Sequence, residues 1–524
     1  MNAASPTPDA RPPARVTPLP RGECPRWSLP SLSAALWVVL FLGLNFTGAR
    51  IVLISGDSDP ALHRRLGDWM IQHRAIVRED NLLHTYHGPS MAKEWLSEVV
   101  LAAAGRYFGW NGVVLLAATL IATCFWLLHR QLIAEGCDAA MATVLVLVAM
   151  LACSMHWLAR PLLFTHLLTL VFAWQLRWFQ QGRVPARRLF WLLPPLMVLW
   201  ANLHGAFPTG LVLIAMYAAG DAMDSWRQHV PSARSKPLAA LFVICGAASL
   251  VNPDGWRLPA QIANFLGSRE LSTVTTEFAS PNFHTVGMHG FLLVLLLLAV
   301  GLIVIRPRVT TTDVLVIGGW GYFALLSARN VPIFALVVTP ILAQWLAEFT
   351  RASQNSPWIR RYREWTAGTP TTGHKTDAAV ILAAIIIALL IVGKPAIAGG
   401  PPVITTDYPP DRYPVAALDY VREHPDALHG EMFNYFLWGG YIEFALPQRK
   451  PFIDSRNYSY GINLFHEFRT ADEPKPGWET VFAKYDVGWT ILPVQHPLNR
   501  ILELSPQWTL VFSNQLTLVF SRVS

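Results

Sequence analysis

Long stretches of this sequence contain no charged residue, and they constrain the fold more than any other feature. The clearest run from Ser31 to Ala49, from Leu189 to Gly220 and from Ala378 to Gly393. A helix of about 20 apolar residues crosses the core of a bilayer, and 53% of the 524 residues are hydrophobic whereas only 14% are charged. The sequence therefore predicts a mainly α, polytopic membrane protein and excludes a soluble enzyme, a disordered scaffold and a nucleic-acid-binding protein.

Apolar segments and turn signals divide the chain into eleven predicted transmembrane helices. Their approximate bounds are 31–54, 111–129, 139–157, 161–177, 189–203, 207–222, 237–252, 287–305, 314–328, 331–347 and 378–394. Between the first two, residues 92–108 have a helical pattern that Lys93, Glu94, Glu98 and Arg106 interrupt. This segment is predicted to be a juxtamembrane helix at the membrane surface.

Basic residues set the predicted orientation, because Lys and Arg concentrate in cytoplasmic loops. With eleven helices, two basic clusters fall on the same side as the N-terminus. These clusters comprise Arg177, Arg183, Arg187 and Arg188, and Arg351, Arg360, Arg361, Arg363 and Lys375. Counting residues 92–108 as a twelfth helix would move both clusters outside. The N-terminus is therefore predicted to be cytoplasmic.

Composition divides the chain into three parts. Residues 1–30 are rich in proline and arginine and predict a disordered cytoplasmic tail. Residues 31–395 form the predicted transmembrane domain, with long outer loops at 55–109 and 252–287. Residues 396–524 contain short strand-like runs separated by turn residues, which predict a small α/β domain outside the membrane.

The first outer loop opens with two carboxylates, Asp57 and Asp59, one residue apart. Desolvation and mutual repulsion at a membrane boundary raise the pKa of at least one of them, which suits proton abstraction or cation binding. Aspartate and proline are also ordinary turn residues, so a solvated turn is the alternative interpretation of this motif alone.

The same loop continues with acidic, histidine and aromatic residues at a density that is unusual for a connector. Trp69, Asp80, Glu94 and Trp95 are candidates for a functional role. Tryptophan is also enriched at membrane interfaces, which gives both indoles a structural alternative.

Arg160 and Arg329 fall at the outer ends of predicted helices, with Asn202 and His204 at the same level. Two guanidinium groups directed into a cavity would bind a phosphate or diphosphate through paired hydrogen bonds. A single arginine at this depth could instead extend into the lipid headgroups. The histidines show no metal-ligand spacing, so no cofactor is predicted and a divalent cation stays an open alternative.

Together these features resemble the GT-C glycosyltransferases, polytopic enzymes that use polyprenyl-phosphate-linked sugars as donors. Within that superfamily the chain is similar to bacterial membrane proteins related to the protein-mannosyltransferase group. The resemblance is carried by the run from Asp59 to Glu98, Arg160-Pro161, the run from Trp200 to Gly205, Asn252-Pro253, the run from Phe433 to Tyr441 and the run from Phe452 to Arg456.

The resemblance implies a GT-C-like enzyme of the bacterial cytoplasmic membrane, with its C-terminal domain in the periplasm. The implied reaction is an inverting transfer of sugar from a polyprenyl-phosphate-linked donor to the hydroxyl of an unidentified glycan, lipid or protein acceptor. Membrane lipids would be further partners, and nucleic acid would not.

The resemblance also assigns roles to the candidate residues, since an acid of the first outer loop acts as the base in better-understood GT-C families. Asp59 is the preferred base, with Asp57 beside it and Asp80 as a rival. The donor phosphate would be bound by Arg160, Arg329 and His204. The sugar or acceptor would be bound by Glu94, Trp95, Trp69 and Asn202.

Two non-enzymatic functions are the alternatives. A transporter or flippase for a polar lipid would also need many membrane helices, although transporters usually carry ionisable residues at mid-membrane and often contain inverted repeats. No such repeat is visible. The other alternative is an assembly partner for an envelope glycolipid, with the outer domain as its binding module.

Overall fold

The computed structural model of the chain describes residues 30–268, 276–366, 374–398 and 404–523. The predicted disordered tail lies outside the described residues except for its last position. The first ten helices are α1 Leu32–Phe46, α2 Ala49–Ser55, α3 Asp59–His73, α4 Trp95–Ala134, α5 Ala139–Cys153, α6 Leu162–Gln180, α7 Ala186–Leu203, α8 Pro208–Gln228, α9 Ser235–Ala248 and α10 Arg257–Gly267. The following five are α11 Val286–Val300, which continues into a π-helical turn at Gly301–Ile305, α12 Thr311–Leu326, α13 Val331–Ala352, α14 Pro357–Thr366 and α15 His374–Ala398.

The C-terminal region contains helices and strands. Its helices are α16 Val415–Glu423, α17 Gly439–Ala445, α18 Asn457–Asp472, α19 Trp478–Lys484 and α20 Pro497–Leu504, and its strands are β1 Glu431–Asn434, β2 Val487–Pro493, β3 Trp508–Ser513 and β4 Thr517–Arg522. The strands form one sheet in the order β1-β2-β4-β3, in which only the β1–β2 pair is parallel.

Each of the eleven predicted transmembrane segments coincides with a helix or with the bent pair α1–α2. In the described residues, five helical segments are long and apolar enough to cross a membrane, and the bent pair makes a sixth. The chain is therefore a multi-pass membrane protein. The count of eleven membrane-spanning helices stays a prediction, because the other five segments do not reach this length and apolarity. Of these, α7 and α8 are not among the helices that qualify, and α9, α12 and the apolar part of α15 are shorter than the roughly 20 residues that a bilayer core needs.

Two breaks in helical geometry lie near the ends of the predicted first outer loop, one before α2 and one at its last residues. Helices α1 and α2 are bent by 71° at Thr47-Gly48. Within α4, Phe108 and Gly109 leave helical geometry, and Gly109 has a φ of +60°, which a residue without a Cβ adopts at little cost. This break separates the stretch predicted to lie at the membrane surface from the apolar stretch that follows it.

The C-terminal region shares a core with the first outer loop. Leu83 is buried among Phe433, Phe452 and other aromatic residues of the sheet and its helices. A hydrogen bond also connects the two parts, because Thr85 Oγ1 in the loop donates to the backbone carbonyl oxygen of Phe452 at 2.6 Å. The C-terminal region therefore holds the loop that carries the candidate acids.

Two glycines allow α17 to approach that loop. A Cβ on Gly439 would lie 2.2 Å from the carbonyl oxygen of Ile453, and one on Gly440 would lie 2.8 Å from the carbonyl oxygen of Ser58. Neither position has room for a larger residue unless the backbone moves. The Gly439-Gly440 pair thus seats α17 against the start of α3, beside Asp59.

Candidate active site

Arg160 lies at the centre of three carboxylates. Its guanidinium forms a short ion pair with Asp57, lies 3.3 Å from Asp59 Oδ2 and lies 2.5 Å from Glu277 Oε1. The Arg160 side chain is only 14% exposed, so it is not extended into lipid headgroups. This arrangement joins the first outer loop, the α5–α6 turn and the second outer loop.

Local hydrogen bonds position each member of this group. Asp57 Oδ1 accepts the backbone N–H of Asp59 at 3.0 Å, which closes an Asx turn at the start of α3. Ser455 Oγ donates to Asp59 Oδ1 at 2.5 Å, so the C-terminal region contributes directly to the site. The turn that carries Arg160 is tied to α2 by the Ala159 N–H, which donates to the Leu53 carbonyl oxygen at 2.7 Å.

A second arginine follows on the other side of Glu277. Arg329 Nη1 lies 3.7 Å from Glu277 Oε2, and Arg329 Nη2 lies 3.5 Å from His204 Nε2. The short turns that carry Glu277 and Arg329 are held together, since Ser327 Oγ donates to the Glu277 carbonyl oxygen at 3.1 Å. Two guanidinium groups therefore share one carboxylate.

His204 links this pair to the juxtamembrane helices. Its Nδ1 lies 2.8 Å from Thr165 Oγ1, and its Nε2 lies 3.3 Å from Glu94 Oε1. Beyond Glu94, His63 on α3 lies 3.1 Å from Glu98 Oε1 and 4.0 Å from Glu94 Oε2. Polar contacts thus run without interruption from Asp57 to Glu98.

Burial and charge act in opposite directions on the acids of this network. Burial raises the pKa of Asp59, so this carboxylate binds a proton more readily than an exposed aspartate. Burial also acts to raise the pKa of Glu277, but Arg160 and Arg329 outweigh it and lower that pKa to about 2. Asp59 is therefore suited to accept a proton, and Glu277 is suited to stay charged between the arginines.

Glu94 is likewise kept ionised. Burial acts to raise its pKa, but Lys93, His204 and His63 lower it to about 2. Burial lowers the pKa of His204 to about 3, so His204 is neutral near pH 7 and Lys93 is the permanent positive charge beside Glu94.

A narrow cleft adjoins the network. Lys93, Glu94, Trp95 and Glu98 lie on one side of it, and Arg456 and Tyr458 of the C-terminal region lie on the other. Outside the cleft lining, Asn202 Oδ1 accepts a hydrogen bond from Trp95 Nε1 at 2.7 Å. The cleft therefore brings the C-terminal region next to the acids of the juxtamembrane helices.

Two predicted site residues lie apart from this network. Trp69 stacks on His73 with 4.3 Å between ring centroids. Asp80 is fully buried, and its Oδ2 lies 2.8 Å from Arg456 Nη1. Asp454 and Glu443 also pair with Arg456, so Asp80 belongs to a buried cluster that fastens the first outer loop to the C-terminal region.

Four further residues complete the network and were not among the candidates from the sequence, namely Glu277, His63, Glu98 and Ser455. His63 follows Asp59 by four residues, so reading 59–73 as a helix would have predicted that the two share a face. Glu98 follows Glu94 at the same spacing. For Glu277, the only local signal is an acid in the second outer loop.

The chain resembles solved structures of glycosyltransferases in its fold. The apo oligosaccharyltransferase of Archaeoglobus fulgidus is 13% identical, with a TM-score of 0.54 over 88% of this chain and 69% of that chain. The oligosaccharyltransferase AglB of the same organism, in complex with an inhibitory peptide and a dolichol-phosphate, is 13% identical with a TM-score of 0.48 over the same shares. ArnT from Cupriavidus metallidurans, bound to undecaprenyl phosphate, is 14% identical with a TM-score of 0.46 over 93% of this chain and 98% of that chain.

No protein-family model and no curated protein sequence matches the chain. At these identities the structural likeness extends to the fold alone.

Proposed function

We propose that the protein is an inverting membrane glycosyltransferase that uses a polyprenyl-phosphate-linked sugar as donor. One observation carries the proposal: two arginines flank Glu277 at 2.5 and 3.7 Å, beside an aspartate, Asp59, whose pKa burial raises. Such a site combines a proton acceptor with cationic groups for a phosphate. The fold shared with an oligosaccharyltransferase supports the same class of reaction.

In the proposed reaction the acceptor hydroxyl oxygen attacks the anomeric carbon of the sugar. Its proton passes to the Asp59 carboxylate as the new glycosidic bond forms. The bond between the anomeric carbon and the phosphate oxygen breaks, and its electron pair stays on the lipid phosphate. Arg329 and His204 would stabilise that negative charge. Arg160 would do so as well, by releasing one of its carboxylate partners and pairing with the phosphate instead.

The remaining candidate residues fit the acceptor or sugar side of the site. Glu94 and Trp95 line the adjoining cleft, and Asn202 fixes the Trp95 indole by accepting its N–H. An indole face and a carboxylate suit a sugar, which offers C–H faces and hydroxyl groups. We assign the cleft to the acceptor or the transferred sugar, and Asp57 to holding Arg160.

A lipid donor requires the site to lie at one face of the bilayer. We propose that eleven helices cross the membrane, that the N-terminus is cytoplasmic, and that residues 396–524 form the outer domain. The loops at 55–109 and 252–287 then meet on the outer face, where the contact between Arg160 and Glu277 joins them.

The experiment measures sugar transfer by the full chain purified in detergent, with a radiolabelled polyprenyl-phosphate sugar and lipid extract from the source cells as acceptor. Asp59→Asn should lower the rate by about 10² to 10⁴, the typical range for loss of a general base. Asp419→Asn, at an exposed position of α16, is the matched control and should keep the wild-type rate.

The alternatives predict different results in the same assay. A flippase yields no transferred sugar in detergent, where no membrane separates two compartments. An assembly partner also yields none, and cells carrying its Asp59→Asn variant would keep their glycan. If wild-type protein transfers sugar and the Asp59→Asn variant does so at the same rate, the assignment of Asp59 as the base is wrong.

A further inference from the structure

His63, Glu94 and Glu98 form a second group of interest at the juncture of α3 and α4. One ligand atom from each lies within 4.8 Å of the other two, and all three residues are buried. Imidazole nitrogen with carboxylate oxygen is a donor set used for first-row transition metals. From these residues we propose a binding site for a divalent first-row transition metal ion, with Zn²⁺ as the probe.

The distances suit such an ion. Metal–ligand bonds of about 2.0–2.2 Å in a tetrahedral site separate neighbouring ligand atoms by roughly 3.4 Å. His63 Nδ1 lies 3.1 Å from Glu98 Oε1 and 4.0 Å from Glu94 Oε2, which brackets that value. Small rotations of the glutamate side chains complete three corners of a tetrahedron, and the fourth can take water from the cleft that both glutamates line.

The Glu94 carboxylate has an oxygen available for the ion. Its Oε1 faces Lys93 at 3.6 Å and His204 at 3.3 Å, whereas its Oε2 faces His63. Glu94 is only 6% exposed, and its Oε2 lies 4.0 Å from His63 Nδ1, which is too far for a hydrogen bond. A buried carboxylate favours a nearby cation.

The charge of the whole network favours a cation. Five carboxylates, those of Asp57, Asp59, Glu277, Glu94 and Glu98, face three permanently charged groups. The three are Arg160, Arg329 and Lys93. With His63 neutral, as it must be to bind a metal ion, the excess of two negative charges equals the charge of one divalent ion.

The site is held by rigid elements. Glu94 and Glu98 lie one helical turn apart at the start of α4, and His63 lies in the interior of α3. Gly67 brings the two helices into contact, since a Cβ there would lie 2.0 Å from the Glu98 carbonyl oxygen. A metal at this position would brace α3 and fix the turn that carries Asp59, four residues before His63.

The test measures metal content, which does not depend on the proposed transferase activity. The purified full chain without a polyhistidine tag is stripped with a chelator, reloaded with Zn²⁺, freed of excess ion and analysed by plasma mass spectrometry. Wild-type protein and the Asp59→Asn variant should hold one zinc per chain. The His63→Ala and Glu98→Gln variants should hold at least about ninefold less zinc per chain.

His73→Ala and Glu79→Gln are the matched controls, because both residues are exposed and lie in the same loop region. Both should retain one zinc per chain. If a ligand variant aggregates, the visible absorption of Co²⁺ bound to wild-type protein reports tetrahedral coordination instead. Wild-type protein without stoichiometric zinc or such an absorption, or ligand variants that retain zinc, would overturn the proposal.

Discussion

At the scale of single residues, the two arginines of the site are not equivalent. Arg160 pairs with Asp57, Asp59 and Glu277, whereas Arg329 has one acid nearby at 3.7 Å and a neutral histidine at 3.5 Å. The Arg329 side chain is also the more exposed, at 28% against 14%. Arg329 is therefore the guanidinium with donors to spare for a phosphate.

Replacing Arg329 should lower the rate of sugar transfer, with little effect on the stability of the fold. Arg329→Gln removes a charge that stabilises the departing phosphate, so kcat/KM should fall by about 10² to 10³. Arg329→Lys keeps the charge but not the paired hydrogen bonds, so its kcat/KM should lie between those of wild type and Arg329→Gln. Steady-state transfer rates across donor concentrations measure this, and Arg308→Gln, in an exposed loop, should match wild type.

Glu277 makes stability depend on pH in acid. Its pKa is lowered from 4.5 to about 2 in the fold, so the folded state binds the proton less readily than the unfolded state does. This stabilisation, roughly 3 kcal/mol, is complete above pH 4.5 and is lost as the pH falls towards 2.

Thermal unfolding in detergent tests this pH dependence. Wild-type protein should melt well above Glu277→Gln at pH 7, and the gap should narrow by about half at pH 3. Glu479→Gln, at an exposed acid, should follow wild type throughout. A gap that is constant over the acid range would show that Glu277 does not titrate as described.

At the scale of elements, the approach of α3 to α4 depends on a residue without a side chain. A Cβ on Gly67 would meet the Glu98 carbonyl oxygen at 2.0 Å and the Ala102 Cβ at 2.7 Å. Gly67→Ala must therefore push the helices apart, and should cost about 1–3 kcal/mol.

Gly246→Ala is the matched control for Gly67→Ala, since it is also a glycine inside a helix but has open space at its Cβ position. It should leave stability unchanged or raise it by up to about 1 kcal/mol through helix propensity. Melting temperatures of the two variants measure the difference. Equal melting temperatures would mean that α3 and α4 are not in close contact.

Hydropathy predicted the helices because burial in lipid leaves a local signature in the sequence. All eleven apolar segments fall on helices, and the C-terminal region, for which short strands were predicted, contains a four-stranded sheet. The bend between α1 and α2 and the break at Gly109 were not predicted. Both depend on how distant segments pack, which the local pattern of apolar residues does not encode.

The site was predictable in part for the same reason. Asp57, Asp59, Arg160 and Arg329 stood out because a charged residue at a membrane boundary is costly without a partner. Their true partner, Glu277, is one acid in a long loop, and nothing local distinguishes it. The separation of Asp80 from the network follows from its pairing with Arg456, a contact between remote parts of the chain.

At the scale of the whole molecule, the C-terminal region is part of the site as well as a neighbour of it. Ser455 bonds to Asp59, while Arg456, the next residue, holds Asp80 of the same outer loop. One turn of the C-terminal region thus fixes both ends of the segment that carries the base. This requires the C-terminal region and the first outer loop to lie on the same side of the membrane.

The side of the membrane on which each loop lies can be measured at two exposed positions. Gln515 lies between β3 and β4, and Gln354 lies in the turn before α14, whose Arg360 and Arg361 are exposed. Basic residues favour the cytoplasm, so we expect Gln354 inside and Gln515 outside.

Single cysteines at these positions, made by Gln515→Cys and Gln354→Cys in a Cys24→Ser background, separate the two sides. A membrane-impermeant maleimide should label the Gln515→Cys variant in intact spheroplasts and the Gln354→Cys variant only after the membrane is disrupted. The native cysteines in the described residues are buried, so the background should stay unlabelled. The reverse pattern would put the acids and arginines of the site on the cytoplasmic face, where an outward-facing acceptor cannot reach them.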